Sequence, residues 1–230
     1  MQKDLAVTKH SCGNCESRSQ SLFCSLKKQD IDFIDQNKFQ TRQKVGQYLF
    51  YAGNPGTGIY CVTSGTVKLE ALDENGKSHI VQIFSDGSLI GYRALFSDEP
   101  YQSSAIVVED AEICFIPKTT IMDLVSRTPD LAMKFLMQLS NDFRQMEQRL
   151  KRVSSHSAAE RIAEALLFLR ENFHDKNWTR KEIAEWASTT PETVIRTLAD
   201  LEKEGLIEQK GRSIKILNRA KLLEKSKITF

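Results

Sequence analysis

A heptad pattern of apolar residues in the middle of the chain limits the possible folds more than any other feature. Apolar side chains recur at alternating spacings of four and three over residues 132–153: Ala132, Leu136, Leu139, Phe143, Met146, Leu150 and Val153. A 3.5-residue period flanked by charged residues predicts one long helix with a coiled-coil seam. We expect this helix to pair with a second copy of the chain. Packing against the chain's own neighbouring domain is the alternative.

The region before this helix is predicted to form an antiparallel β domain. Eight of the eleven glycines lie between Gly46 and Gly91, among short β-like runs at residues 58–62, 66–70, 80–84 and 105–108. Turn signals at residues 74–77 and 85–87 separate these runs, which is typical of a sandwich or roll. A short helix from Thr119 to about Arg127 is expected to end before Pro129.

The region after the long helix predicts two short helices joined by a tight turn. Thr179 and Glu182 have the spacing of a capping box at the start of the first helix. Pro191 stands at the first position of the second helix, which is expected to end at Gly205. Two β-like runs around the turn at residues 210–212 then form a hairpin. This order of elements describes a winged helix-turn-helix.

Composition and charge exclude several classes of protein. With 40% hydrophobic and 27% charged residues, the chain is an ordinary globular protein rather than a disordered one. It has no apolar run long enough to cross a bilayer and no secretory signal, so we expect a cytoplasmic protein with no membrane association. No pattern of paired carboxylates or activated nucleophiles indicates an enzyme. Residues 151–230 hold 16 basic and 12 acidic side chains, against 16 and 18 in residues 1–150, which suits a C-terminal part that meets phosphate.

Cysteines make up the most distinctive chemical pattern. Cys12, Cys15 and Cys24 lie close together near the N-terminus, and Cys114 lies ninety residues later. In a reducing compartment such thiols are metallated, redox-active or buried rather than a disulfide framework. Four thiolates suit an iron–sulfur cluster or a structural zinc, and a thiol switch is a further alternative. Cys61 lies in a strand-like run and is interpreted as a small buried hydrophobe, with a reserve role as a ligand.

Several motifs together resemble the CRP/FNR superfamily of bacterial transcription regulators, and most closely its FNR branch. Beside the N-terminal cysteines, the motifs are CVTSGTVK at residues 61–68, GSLIG at 87–91, ICFIP at 113–117, AERI at 159–162 and TPETVIR at 190–196. The resemblance covers nearly the whole chain. It implies an α+β fold with an N-terminal β-roll (a cyclic-nucleotide-binding-like jelly roll), a long dimerisation helix and a C-terminal winged helix-turn-helix. The corresponding boundaries are a cysteine-containing arm at 1–28, a β-roll sensor domain at 29–128, the helix at 129–153 and a DNA-binding domain at 154–230.

The resemblance also implies a cofactor. It predicts that Cys12, Cys15, Cys24 and Cys114 ligate an oxygen-labile [4Fe–4S] cluster, although the gap between Cys15 and Cys24 is longer than the family's usual spacing. The alternative is a regulator of the same fold without a cluster, which uses zinc, a thiol switch or another β-roll ligand. Cyclic AMP is not expected, because Gln102 stands before Ser103 where the cyclic-AMP-binding relatives have arginine, and a buried phosphate would lose its guanidinium partner.

The predicted second helix of the helix-turn-helix carries the residues expected to read DNA. Glu192 and Arg196 lie four residues apart and so share one helical face. Arginine reads guanine and glutamate accepts from cytosine, and both residues match the superfamily's base-reading positions. Ile195 stands where FNR has serine, which predicts a different half-site. The expected DNA-binding residues are Thr190, Glu192, Thr193, Arg196, Lys210 and Arg212. The implied function is a redox- or oxygen-responsive regulator that binds a pseudo-palindromic promoter site in double-stranded DNA as a homodimer and contacts RNA polymerase.

Overall fold

A computed structural model describes residues 11–173 and 176–227. These residues form two compact units. The first holds the described residues up to Gly76 together with Val81–Asp142. The second holds Lys77–Ile80 and the described residues from Phe143 onward. The first ten residues of the predicted arm lie outside the described part of the chain.

The first unit is built around an antiparallel sheet, whose fourth strand begins within Lys77–Ile80 of the second unit. Two short 3-10 helices, Cys12–Asn14 and Glu16–Gln20, precede α1 (Lys28–Asn37), β1 (Phe39–Gln43), β2 (Tyr48–Phe50), β3 (Gly58–Leu72), β4 (Ser78–Phe84), β5 (Leu89–Ile90), α2 (Tyr92–Ser97), β6 (Ser104–Pro117) and α3 (Lys118–Arg127). The sheet order is β1-β6-β3-β4, with β2 paired to β6 and β5 paired to β3. This arrangement confirms the predicted β domain followed by a short helix.

The long strand β3 joins two runs that the sequence predicted as separate strands. Its pairing with β6 shifts register between Val62 and Val67. Gly65 lies in this irregular stretch at a φ of +90°, and a Cβ there would stand 2.4 Å from the Asp110 carbonyl oxygen. The strand therefore continues through a bulge that only glycine accommodates, instead of ending in a turn.

The described part of the N-terminal arm packs into the core of the β domain. Phe23 is 5% exposed and lies in one apolar cluster with Ile31 and Ile34 of α1. The same cluster includes Cys61 and Cys114 on the sheet. The sequence did not predict α1, and its apolar residues at positions three apart explain why it forms against this core.

The long helix α4 (Pro129–Ser155) buries one face and exposes the heptad seam. Leu131 and Phe135 are buried in the core of the β domain. Most of the larger seam residues are 40–71% exposed: Leu136, Phe143, Met146, Leu150 and Val153. Leu139 is the exception, because it is partly buried against that core. The chain by itself therefore leaves most of the seam uncovered.

The second unit is a winged helix-turn-helix. It contains α5 (Ala158–Asn172), α6 (Arg180–Trp186), α7 (Pro191–Lys203), β7 (Ile207–Lys210), β8 (Ser213–Ile216) and α8 (Arg219–Ser226). The predicted capping box is present, since Thr179 accepts from the Glu182 N–H and Glu182 accepts from the Thr179 N–H. Pro191 opens α7 as predicted. The sequence did not predict α8. None of the helices in the described ranges is both long and apolar enough to cross a bilayer.

Candidate functional site

A cavity of about 360 Å³ lies between the N-terminal arm, α1 and the sheet of the first unit. Four of the five cysteines line it: Cys12, Cys15, Cys61 and Cys114. Its apolar wall includes Phe23, Ile31 and Ile34, and its polar lining includes Lys38. The volume far exceeds the roughly 10–15 Å³ that a single water needs, so the cavity has room for a larger group.

The two arm cysteines are held by local structure and by α1. The Cys12 N–H donates to Asp35 Oδ1 at 2.8 Å, and Cys15 Sγ lies 3.1 Å from Ser17 Oγ. Lys38 Nζ donates to Cys12 Sγ at 3.1 Å and pairs with Asp35 at 2.8 Å. A thiol, a carboxylate and an ammonium group therefore form one network at the edge of the cavity.

This network shifts the ionisation of its members. Burial alone would raise the pKa of Asp35, but the Lys38 hydrogen bond and the Cys12 N–H outweigh it and lower that pKa to about 2. Burial would lower the pKa of Lys38, and hydrogen bonds to Asp35 and Cys12 raise it instead. Burial raises the pKa of Cys12 although Lys38 acts against it. The ammonium group of Lys38 therefore stays protonated and can balance the charge of a thiolate at this position.

The two sheet cysteines are buried thiols. Cys61 on β3 is 8% exposed and Cys114 on β6 is 5% exposed. Burial raises the pKa of Cys114 to about 12, with Lys38 acting in the opposite direction. Burial also raises the pKa of Cys61, and the charges of Cys114, Cys15 and Cys12 add to the effect. Both are therefore neutral thiols in the metal-free chain near neutral pH, and metal binding would have to displace their protons.

The structure does not bring Cys24 to this cavity. Cys24 is exposed and is absent from the residues that line the cavity. Its Sγ faces Lys134 Nζ at 3.9 Å, and Lys134 also donates to Ser25. Cys61, which the sequence analysis kept as a reserve ligand, lines this cavity. The sequence signal for Cys61 is its position in a predicted strand, which the structure pairs with the strand of Cys114.

The four cavity thiols line one open space. Within residues 11–173 and 176–227, no three side chains of His, Cys, Asp or Glu come together at a spacing that suits a single metal ion. A tetrahedral zinc site needs sulfurs about 2.3 Å from one ion, which would place them against one another. The described residues form no such ligand group.

A second, smaller cavity of about 140 Å³ lies inside the roll. Gln102 and Ser103 line it, and the stacked rings of Phe50 and Tyr101, 3.7 Å apart, form part of its wall. Arg93 on α2 also lines this cavity, which sequence reasoning missed because α2 was not predicted. The expectation that cyclic AMP is not a ligand stays a prediction.

The helix α7 presents its predicted base-reading residues to solvent. Glu192, Ile195 and Arg196 are exposed, while Val194 and Leu198 are buried on the other face. Thr190 caps the helix by accepting from the Thr193 N–H, so these two predicted DNA-binding residues also shape the helix start. An exposed helix N-terminus with polar side chains can enter a major groove.

The hairpin β7–β8 forms the predicted wing. Lys210 and Arg212 are exposed at its tip, where both side chains can reach phosphate. Arg180 on α6 donates to the Arg212 carbonyl oxygen at 3.1 Å and to Gln209 Oε1 at 2.7 Å. The wing is therefore fastened to the first helix of the helix-turn-helix.

Arg161 on α5 holds the turn between α6 and α7, a role that sequence reasoning did not assign. Its guanidinium donates to the carbonyl oxygens of Ala187 at 2.8 Å, Ser188 at 3.2 Å and His156 at 2.6 Å. Ser188 has a φ of 51°, a conformation that costs energy in a residue other than glycine. Arg161 stabilises this turn and so sets the direction in which α7 leaves it.

Comparison with known proteins agrees with both units. A family model described as a cyclic nucleotide-binding domain matches residues 41–128, and one described as a Crp-like helix-turn-helix domain matches residues 160–225. The fumarate and nitrate reduction regulatory protein of Vibrio cholerae is 30% identical over 225 residues, covering 92% of this chain and 89% of that protein. The anaerobic regulatory protein of Haemophilus influenzae is 28% identical over 236 residues, with coverage of 94% and 91%.

Solved structures give the same fold. A putative regulator of the CRP/FNR family from Eubacterium rectale superposes with a TM-score of 0.77 at 18% identity, covering 90% of this chain and 98% of that one. A CRP/FNR-family regulator from Thermus thermophilus reaches 0.69 at 27% identity, with coverage of 83% and 99%. With the roll, the winged helix-turn-helix and the curated relatives in agreement, the chain belongs to the CRP/FNR family of DNA-binding transcription regulators, in its FNR-like branch.

Proposed function

We propose that this protein is a homodimeric transcription regulator whose DNA binding responds to oxygen or redox state through a [4Fe–4S] cluster. The observation that carries the proposal is the shared cavity, which brings arm cysteines Cys12 and Cys15 to the same space as Cys114 of the sheet. The names of the relatives, which denote anaerobic regulation and fumarate and nitrate reduction, agree with such a signal.

The donor set suits the chemistry of an iron–sulfur cluster. Four cysteine thiolates are the usual ligands of a [4Fe–4S] cluster, and each binds at a different part of a multi-atom group. The cysteines that line one cavity of about 360 Å³ leave room for such a group. Cys12, Cys15 and Cys114 are the three ligands that the resemblance and the cavity have in common, and Cys24 is the fourth ligand that the resemblance predicts.

Packed apolar side chains in the core of the first unit connect the cavity to α4. When bound, the cluster would supply a redox-sensitive link between the arm and the sheet. Phe23 lines the cavity and belongs to the same apolar cluster as Leu131 and Phe135 of α4. Release of Cys12 and Cys15 would loosen the arm, and with it the packing of Phe23 against this cluster. The start of the dimerisation helix would then lose support.

The exposed seam of α4 supports a homodimer. Five large apolar side chains on one helix are uncovered in the single chain, and burying them against a second copy would remove that apolar surface from water. A twofold dimer places two α7 helices in successive major grooves, roughly 34–36 Å apart, and so reads a pseudo-palindromic promoter site. We also expect RNA polymerase as a partner and a cytoplasmic location. The proposed domain boundaries stay at residues 1–28, 29–128, 129–153 and 154–230.

Anaerobic reconstitution tests the proposal. The full chain is loaded with iron and sulfide under anaerobic conditions, and its iron, sulfide and zinc contents are measured. Binding to a palindromic DNA library is then compared before and after exposure to air. We expect the anaerobic protein to contain iron and sulfide in equal amounts. Exposure to air should remove both and abolish specific DNA binding. A zinc-loaded protein, or a metal-free protein with unchanged DNA binding in air, would contradict the cluster and favour the cluster-free alternative.

A further inference from the structure

We infer that the fourth thiolate of the proposed cluster comes from Cys61 on β3 rather than from Cys24. The inference rests on the proposed function and names one of its ligands. It starts from the register of the sheet, in which Cys61 and Cys114 are direct antiparallel partners of β3 and β6. Residues directly opposite on antiparallel strands carry Cβ atoms about 4.5–5.5 Å apart on the same face. The two sulfurs therefore enter the cavity side by side.

The two arm cysteines line the same cavity as this pair. Cys12 and Cys15 lie on the first 3-10 helix and directly after it, and both line the same cavity as Cys61 and Cys114. The two arm thiols and the two thiols on neighbouring strands together give four donors on one cavity. Lys38 Nζ lies at the edge of the same space and offsets part of the negative charge of such a donor set.

Cys24 is turned away from the cavity by its neighbour. Phe23 is 5% exposed and forms part of the cavity wall, while Cys24 is exposed. Turning the Cys24 side chain inward would require residues 21–24 to rearrange, which would expose Phe23 and break the Cys24 N–H to Ser21 carbonyl bond of 3.1 Å. Its neighbour Ser25 is also held by Lys134 of α4. Cys61 needs no such rearrangement.

Three variants of the full chain separate the two ligand sets. Cys24→Ser and Cys61→Ala are reconstituted anaerobically beside the wild type, and iron and sulfide per chain are measured with the visible absorbance. Val62→Ala serves as the matched control, because Val62 is the next residue of β3, is fully buried and carries no thiol. We expect Cys24→Ser and Val62→Ala to keep the iron and sulfide content of the wild type, and Cys61→Ala to lose it. Far-ultraviolet circular dichroism of each metal-free variant checks folding.

A second measurement avoids substitutions altogether. The reconstituted wild type is treated anaerobically with iodoacetamide, and the modified cysteines are identified by mass spectrometry. Rapid modification of Cys24 with the cluster absorbance intact is the expected result. Protection of Cys24 until the cluster is removed would overturn the assignment, even if Cys61→Ala and Val62→Ala both fail to bind iron.

The outcomes also distinguish this inference from the proposed function. If both the wild type and Cys61→Ala bind a cluster, or if Cys24→Ser loses it, Cys61 is not the fourth ligand. The proposed cluster itself is then not contradicted. Failure of the wild type to take up iron and sulfide overturns the proposed cofactor, and the role of Cys61 with it.

Discussion

Lys38 donates a hydrogen bond from Nζ to Cys12 Sγ at 3.1 Å, and the same ammonium pairs with Asp35 at 2.8 Å. The side chain of Lys38 is only 5% exposed. A buried ammonium beside a thiol favours the thiolate, because an opposite charge nearby stabilises the ionised form. The metal-free chain therefore already holds a counter-charge for Cys12 before any metal binds.

Lys38→Met is expected to raise the pKa of Cys12 further, because burial then acts on this thiol without an opposing cation. Alkylation of Cys12 in the metal-free chain, followed across pH by mass spectrometry, should shift its midpoint to higher pH. Lys28→Met, an exposed change on the same helix α1, is the matched control and should leave the midpoint in place. An unchanged midpoint in Lys38→Met would show that Lys38 does not act on Cys12.

Gly87→Ala is expected to displace the N-terminal arm. Gly87 has a φ of +82°, and a Cβ there would stand 2.8 Å from the Ser17 carbonyl oxygen and 2.9 Å from Gln20 Cβ. Neither the Ser17 carbonyl oxygen nor the Gln20 Cβ can accept the added methyl without a shift of the arm, so alkylation of Cys12 and Cys15 should become faster than in the wild type. Gly76→Ala, which has open space around its Cβ position and a similar φ of +75°, controls for backbone strain alone. Equal alkylation rates in the two variants would contradict the docking of the arm at Gly87.

Arg196→Ala should weaken binding to the specific DNA site by about 1–3 kcal/mol and relax the preference at one base pair per half-site. Lys210→Ala at the wing should instead weaken specific and random DNA alike and flatten the salt dependence, since phosphate contacts carry no sequence information. Titrations of both variants against specific and random DNA at several salt concentrations measure the difference. If each variant weakened binding to specific and to random DNA by the same factor, and both variants did so alike, these roles of Arg196 and Lys210 would be disproved.

Leu150→Asp should convert the dimer into monomers that bind the palindromic site poorly. Leu150 is 71% exposed in the single chain, so the change removes no packing within it. Leu139 is a less useful position to test the seam, because it packs partly against the core of its own β domain. Lys151→Asp places a carboxylate at the next, exposed position and should stay dimeric. Sedimentation analysis decides, and a dimeric Leu150→Asp would show that the seam is not the interface.

Arg161→Met should destabilise the turn of the helix-turn-helix by about 1.5–3 kcal/mol, because its backbone carbonyl oxygens lose a charged donor. Hydrogen exchange of the backbone amides at residues 187–190 should speed up, and affinity for the specific DNA site should fall with the loss of α7 orientation. Arg144→Met, an exposed arginine on α4, serves as the control. Unchanged hydrogen exchange at these amides in Arg161→Met would show that the turn is stable without the Arg161 hydrogen bonds.

Local sequence signals predicted the parts of this protein whose causes are local. The capping box of Thr179 and Glu182, Pro191 at the start of α7 and the heptad residues of α4 each specify structure through neighbours within a few positions. The helices α1, α2 and α8 carried weaker signals and were missed, since each depends on packing against an existing core. The sequence pattern predicts two strands where the continuous strand β3 lies, because the bulge at Gly65 exists only through the close approach of β6.

Long-range contacts determine which cysteines line the cavity. Spacing placed Cys12 and Cys15 together, and family resemblance added Cys114, but neither could determine the side of the arm on which Cys24 emerges. The burial of Phe23 sets that side. The pairing of Cys61 with Cys114 joins residues 53 positions apart through the register of two strands, which the hydrophobic pattern and the Gly65 bulge set jointly. The sequence by itself thus determined the residue types and their short spacings. The tertiary structure decided which thiols become neighbours, through the alignment of the strands and the side chains that the core buries.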